Sequence, residues 1–191
     1  MTVFNDGVLQ SMLPNLKGRN EGMCFIAQET LTGSVTSVTF SSIDQGFTHL
    51  QIFASLRSDQ AAESDDIEII FNGDAGSIYD DQRLTASSTG VSAQAVRAQT
   101  AITIGTSEAA SSRANSFGLL NATINNYTAS IEHNIIGQSA RFGDVSADTD
   151  CVLVFRAGKH RSAAAITSIT IFPRLGTNYV SGCTFYLYGI L

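Results

Sequence analysis

The chain of 191 residues contains no tryptophan. A sugar-binding site that relies on an indole stacking platform is therefore absent, and Tyr79, Tyr127 and Tyr179 would have to substitute for it. Charge is also scarce, since Asp, Glu, Lys and Arg make up only 15% of the chain. Ser, Thr, Ala, Asn and Gly fill the polar positions, which gives a neutral, hydroxyl-rich surface of the kind found on β-sandwiches and on surfaces covered by neighbours. Basic residues are outnumbered, with 11 Lys and Arg against 17 Asp and Glu and a net charge of −6. Phosphate contacts need a basic face, so nucleic acid is not an expected partner, nor is an anionic membrane. No stretch is long and apolar enough to span a bilayer. Met1 to Gln10 lacks a basic start and an apolar run, so no signal peptide is expected. The three cysteines, Cys24, Cys151 and Cys183, are odd in number and far apart. They read as buried free thiols of a protein folded in a reducing cytoplasm. Asn121-Ala122-Thr123 and Asn126-Tyr127-Thr128 match the glycosylation sequon, a match without consequence when no secretory signal precedes it. No Gly-x-Ser-x-Gly elbow exists, and no helical stripe of useful length appears.

What the chain does contain is alternation. Its last part holds Ala165 to Pro173, then Cys183 to Leu191, both rich in β-branched and aromatic residues. In the second, Cys183, Phe185 and Leu187 share one face, while Thr184, Tyr186 and Tyr188 share the other. That period of two is a strand. In the first, Ile169 and Ile171 lie with Thr167, and Ile166 and Phe172 point away. Gly176, Asn178 and Gly182 supply turns between them. An apolar end of this kind is expected to be tied into a sheet.

Earlier strands follow the same logic. They are expected at Gly22 to Leu31, Val35 to Ile43 (Val38 and Phe40 inward), Phe47 to Arg57 and Ile67 to Asn72. In Phe47 to Arg57, Leu50, Ile52, Ala54 and Leu56 form the inward face. Further strands are expected at Ala98 to Ile104, Phe117 to Asn125, Ala129 to Ile136 and Cys151 to Ala157. Val152-Leu153-Val154-Phe155 is apolar on both faces, as in a strand buried in the middle of the structure. Ser58 to Asp66, Ala109 to Asn115 and Gly143 to Asp150 read as loops. Gly73 to Gln94 reads as a long surface loop pinned by Tyr79 and Leu84, with a helical turn or two available in Ala86 to Arg97. Roughly eight to ten short strands divided by turn signals point to an all-β fold, an antiparallel β-sandwich of jelly-roll-like form or a barrel. The domain spans residues 22–191. Residues 1–21 carry scattered apolars (Val3, Phe4, Val8, Leu9, Met12, Leu13) and read as an N-terminal arm that packs on another protein.

Candidate chemistry is sparse. Asp59, Glu63, Asp65 and Asp66, or Asp74 with Asp80 and Asp81, are acidic clusters of the residue type that binds calcium. Neither has the spacing of a calcium loop, so a solvated acidic loop is expected and no metal or cofactor. Asn72-Gly73 is a turn signal. His49, His133 and His160 share no ligand spacing, and His160 is expected in a basic turn, Lys159-His160-Arg161. No carboxylate pair stands out for glycan hydrolysis, so no enzyme activity is expected.

Three ordered stretches carry a family likeness. They are Ser37-Val38-Thr39-Phe40-Ser41-Ser42-Ile43 leading into Thr48-His49-Leu50-Gln51-Ile52 and Arg57-Ser58; Ile70-Phe71-Asn72-Gly73-Asp74 with Gly76 and Tyr79; and Ala165-Ile166-Thr167-Ser168-Ile169 with Gly182 and Leu187-Tyr188-Gly189. This set resembles a family of virion proteins of tailed bacteriophages, with jelly-roll-like domains. Its members are head-decoration, head-fibre or tail-associated subunits. The resemblance implies a structural protein of a phage particle, assembled in the host cytoplasm, in contact with major capsid or tail proteins. It implies no catalytic residues, and by analogy a homotrimer. The alternative reading is a tail-fibre module that binds a host glycan or receptor. Phe47 and Phe53 oppose the inward face of their strand, and Tyr186 and Tyr188 oppose Phe185 and Leu187. These four are the expected oligomer interface, unless Phe47 and Phe53 pack under the Gly73 to Gln94 loop.

Overall fold

The computed structural model describes residues 22–87, 90–143 and 151–191. The arm, 1–21, lies outside them, as does most of the expected loop from Gly143 to Asp150. The elements in chain order are β1 (Cys24–Thr30), β2 (Val38–Phe40), β3 (His49–Leu56), β4 (Ser64–Phe71), β5 (Tyr79–Ser87) and β6 (Gly90–Gln99). Then come β7 (Ile102–Glu108), β8 (Gly118–Ile124), β9 (His133–Phe142), β10 (Cys151–His160), β11 (Ile169–Pro173) and β12 (Thr184–Ile190). No helix occurs among the described residues.

The strands form an antiparallel sandwich of jelly-roll-like form. An eight-stranded sheet runs β1-β12-β3-β8-β9-β10-β5-β6, and a four-stranded sheet runs β2-β11-β4-β7. The inward sets read from the sequence fill the space between them. Leu50, Ile52 and Leu56 of β3, Ile67, Ile69 and Phe71 of β4, Ile169 and Ile171 of β11, and Phe185 and Leu187 of β12 are all buried. Each such side chain contributes about 1.5–3 kcal/mol by leaving water. The chain reverses after β4 at Asn72 (φ 55°) and Gly73 (φ 68°), and the Asp74 amide donates to the Phe71 carbonyl at 2.9 Å. Two successive positive φ angles suit Asn-Gly, as the turn signal anticipated.

Several expectations need correction. Residues 73–94 are not a surface loop, and Ala86 to Arg97 is not helical. They hold β5 and most of β6, which pair along Asp81↔Val96 to Ser87↔Gly90. Tyr79 is buried as a pin, with its hydroxyl donating to the Asp74 carbonyl at 2.7 Å, but Leu84 is exposed. The loop after β3 ends at Glu63, because Asp65 and Asp66 already belong to β4. Strands expected at Ala98 and Ala129 begin later, at Ile102 and His133. β10 is not buried on both faces, since Leu153 and Phe155 are exposed and alternate with buried Val154 and Arg156. Of the three thiols only Cys183 is buried; Cys24 is half-buried and Cys151 exposed.

The sheets converge where β7 crosses β9 and β10. A Cβ added at Gly137 of β9 would lie 2.1 Å from the Ile104 carbonyl oxygen of β7. One at Gly158 of β10 would lie 2.3 Å from Cγ2 of Ile102. Face-to-face sheets normally sit about 10 Å apart. Glycine on β9 and β10 lets the β7 backbone come closer, and every residue of β7 is buried as a result.

Candidate functional site

Strand register places side chains of the eight-stranded sheet in lateral rows on its outer face. One row is Phe25, Tyr188, Gln51, Thr123, Ile136, Ala157, Gln82 and Ala95. The next is Gln28, Tyr186, Phe53, Asn121, Gln138, Phe155, Leu84 and Ala93. A third is Thr30, Thr184, Ser55, Leu119, Ala140, Leu153, Ala86 and Val91. None of these positions carries a charge. Phe25, Phe53, Leu84, Val91, Leu119, Ile136, Leu153 and Phe155 are between 37% and 70% exposed. With strands ~4.8 Å apart and same-face residues ~6.8 Å apart, the rows cover on the order of 800 Å². A standard protein interface takes about 800 Å² from each partner.

The face has two parts. At the β1, β12 and β3 corner the Tyr188 ring meets Phe25 and Phe53 edge-on, each at 5.9 Å between centroids. Beside them Thr123 Oγ1 donates to Gln51 Oε1 at 2.7 Å, and Gln51 Nε2 donates to Asn121 Oδ1. Across β8, β9, β10 and β5 the face is mostly aliphatic around Phe155.

Of the four residues expected at an interface, Phe53, Tyr186 and Tyr188 stand on this face. Phe47 does not. It precedes β3, and its ring lies on the core side of Gly189, where an added Cβ would come within 2.3 Å of it. The turn before β3 breaks the two-residue alternation and carries Phe47 inward. Neither Phe47 nor Phe53 packs under a loop at 73–94, because that segment is strand. Phe25, Leu84, Leu119, Ile136, Leu153 and Phe155 were not anticipated. An exposed apolar alternation has the same pattern as a buried one, so periodicity alone offers no signal for them.

A cluster of charged residues lies elsewhere. A cleft of about 60 Å³ is lined by Glu68, Asp81, Arg83, Gln94, Gln99, Thr103, Arg156 and Arg174, among others. Arg156 pairs with Asp66 at 3.0 Å and with Asp81 at 3.5 Å. Arg174 pairs with Asp66 at 3.1 Å and Glu68 at 3.4 Å. Burial pushes the Asp81 and Glu68 carboxyls up and the Arg156 guanidinium down, against the pull of their ion pairs. The Nε atoms of Arg83 and Arg156 are buried without a hydrogen-bond partner. Elsewhere Glu108, wholly buried, accepts from Ser112 Oγ at 2.5 Å and the Phe142 amide at 2.9 Å, with Arg141 3.8 Å away.

The acidic clusters tie loops together. Asp65 accepts from the Leu175 amide at 3.1 Å and the Gly176 amide at 2.8 Å. Asp59 accepts from the Asn178 amide at 2.9 Å, and that bond above all lowers its carboxyl below the usual range. No group of metal-ligating side chains is found among the described residues.

His160 is not in a basic turn. It ends β10, buried, stacked on Tyr79 at 4.8 Å and beside His133 at 6.4 Å, its partner in the β9 register. His133 bonds the Ala164 carbonyl oxygen through Nε2 at 2.9 Å, whereas neither ring nitrogen of His160 has a partner. Burial holds the His160 imidazole below its ordinary value; His133 adds to this and Asp74 opposes it. His49 stays at the surface end of β3, where Nδ1 accepts from the Asn126 amide at 3.1 Å.

No family model matches the chain, and no curated protein does. Among solved structures it is similar to the galectin LEC-6 of Caenorhabditis elegans at 10% identity, over 91% of this chain and 99% of that one, with a TM-score of 0.30. It is also similar to the CBM2 module of the evolved Dit of Lactobacillus casei BL23 phage J-1 at 13% identity, over 91% of this chain and 78% of that one, with a TM-score of 0.18.

Proposed function

We propose that the chain is a structural subunit of a bacteriophage particle, a capsid-decoration, head-fibre or tail-associated protein that acts through protein–protein contacts. The observation that carries the contact reading is the outer face of the eight-stranded sheet. Its three rows from Phe25, Gln28 and Thr30 are uncharged and together as large as one side of a standard interface. Leaving its rings and aliphatic groups in water costs about 25 cal/mol for each Å² of apolar surface, which a bound partner recovers. Tyr186 and Tyr188 suit such a contact because a tyrosine ring buries while its hydroxyl keeps a polar partner. The aromatic corner with Phe53, Tyr186 and Tyr188 serves contact between copies, with the trimer of the family resemblance as its form. The aliphatic part serves contact with other virion proteins. The phage assignment itself rests on the resemblance. The test is a phage carrying Phe53→Ser, Tyr186→Ser and Tyr188→Ser together. The variant folds with an unchanged β-type circular dichroism spectrum, and purified particles lose the subunit by quantitative mass spectrometry. Particles that retain it at wild-type copy number refute the contact, and particles that never contain the wild-type chain refute the virion assignment.

A second reading, a fibre module that binds a host glycan or receptor, is favoured by the charged cleft. Its guanidinium, carboxylate and amide groups stand side by side, a donor and acceptor mix that suits sugar hydroxyls. Binding on a glycan array that is lost with Arg83→Ala would support it.

A further inference from the structure

The two sheets have four edge strands, and among the described residues three of them are guarded. β2 is only three residues long. β7 is buried along its whole length. β1 is interrupted by a bulge between Phe25 and Ala27 and carries Glu29. Short strands, cover, bulges and charge are the devices that stop an edge from pairing with another chain. β6 has none of them over residues 90–96. It pairs regularly with β5 from Gly90 to Val96, and the register shifts only beyond, where Ala98 has φ 55° and its amide donates to Asp80. Its sequence Gly90-Val91-Ser92-Ala93-Gln94-Ala95-Val96 holds no charge. Apart from half-buried Val96, every residue of β6 is exposed. Its inner-face Gln94 and Val96 border the cleft shared with Glu68 and Thr103 of the four-stranded sheet, but only Val96 is even half-buried there, so burial adds little to either face. A long strand this exposed, with one edge open among the described residues, has pairing as its main support.

We infer that β6 pairs with the β6 of a second copy, antiparallel across a two-fold axis through Ala93. Residues opposed across an antiparallel pair must lie on the same face. The register centred on Ala93 sets Val91 against the partner's Ala95, Ser92 against the partner's Gln94, and Gly90 against the partner's Val96. It leaves Arg97 beyond the paired stretch. Centring one position later, on Gln94, would bring Val91 against the partner's Arg97. Identical uncharged strands meet with no like-charge repulsion, which is why the occupant is another copy rather than a charged partner. The two eight-stranded sheets then run on as one, and the uncharged outer face continues across the axis through Val91, Ala93 and Ala95.

The contact uses the edge and is independent of the outer-face reading. Light scattering on the full chain tests it. Ala93→Lys places two lysines face to face on the axis, and Ala93→Glu places two glutamates there. Each variant alone has half the wild-type mass, and an equal mixture of the two regains it. Phe53→Ser with Tyr186→Ser and Tyr188→Ser leaves the edge contact intact, so failure of the face and failure of the edge read out separately. As a check that does not depend on solution mass, Ala93→Cys in a Cys151→Ser background forms a disulfide-linked dimer on mild oxidation. A wild type that is monomeric at high concentration, a lysine variant of unchanged mass, a mixture that fails to reassociate, or no cross-link would each overturn the inference.

Discussion

Gly137→Ala is the sharpest test of the convergence between the sheets. The new methyl would lie 2.1 Å from the Ile104 carbonyl oxygen, more than an ångström inside the 3.4 Å at which ordinary contact begins. The obstacle is backbone, so no side chain can swing away. β7 must move off β9, and with it Ile102 and Ile104, both fully buried. A gap of 0.5–1 Å forfeits about a quarter to a half of each dispersion contact. Overpacking of this kind costs about 1–3 kcal/mol and at times more. Alanine returns about 0.4–1 kcal/mol by stiffening the unfolded chain. The expected net loss is about 2 kcal/mol, which lowers Tm by about 4–8 °C in a chain of this size. Urea titration reads it as a lower midpoint at constant slope. Gly33→Ala is the control, since nothing lies within 4 Å of its added Cβ. It should fall within about 0.5 kcal/mol of wild type. A Gly137→Ala protein as stable as that control would show that the sheets do not approach as described.

Two further predictions concern buried charge. His160 is held below its ordinary value, so the unfolded chain binds the proton more readily. Its contribution is fully present above pH 6.5 and is lost as the pH falls from there through the depressed folded value; Asp81 and Glu68, whose carboxyls are raised, act in a more acidic window. Unfolding free energy should therefore drop between pH 7.5 and 5.5, and His160→Gln should flatten that segment; a flat wild-type profile would contradict it. Glu108→Ala strands Arg141 without a carboxylate and should cost about 3–5 kcal/mol. Glu108→Gln, which keeps shape and part of the hydrogen bonding, should cost less, and equal losses for the two would show that the charge does not matter.

The buried half of each strand is what the sequence makes legible. Leu50, Ile52 and Leu56, or Cys183, Phe185 and Leu187, alternate with polar residues because one side of the strand meets the core. Where both sides meet water the rule has nothing to write with. β6 is Gly, Ala, Ser, Gln, Val and one Arg with no inward set, so it reads as loop, and β5 with it. β10 misled in the opposite direction, because exposed Leu153 and Phe155 look like core. Buried polar residues were hidden for a third reason. Thr103, Thr106, Ser107 and Glu108 are inside because β7 is covered by β9 and β10, a fact of tertiary approach that no window of sequence contains. The four aromatics expected at an interface divided the same way: Phe53, Tyr186 and Tyr188 sit within regular strands and their outward facing was legible, while Phe47 sits before a strand and turns inward.

The position of β12 has a consequence for biosynthesis. It lies between β1 and β3 and bonds to both, yet it is translated after every other strand described here. Until residues 184–190 leave the ribosome, β1 has no partner and β3 has only β8. Pairing between such distant segments is slow, because loop closure must precede any reward from contact. The sheet thus cannot close before β12 has emerged, and a chain stopped short of it exposes two strand edges, each a mark by which quality control can tell it from a folded one.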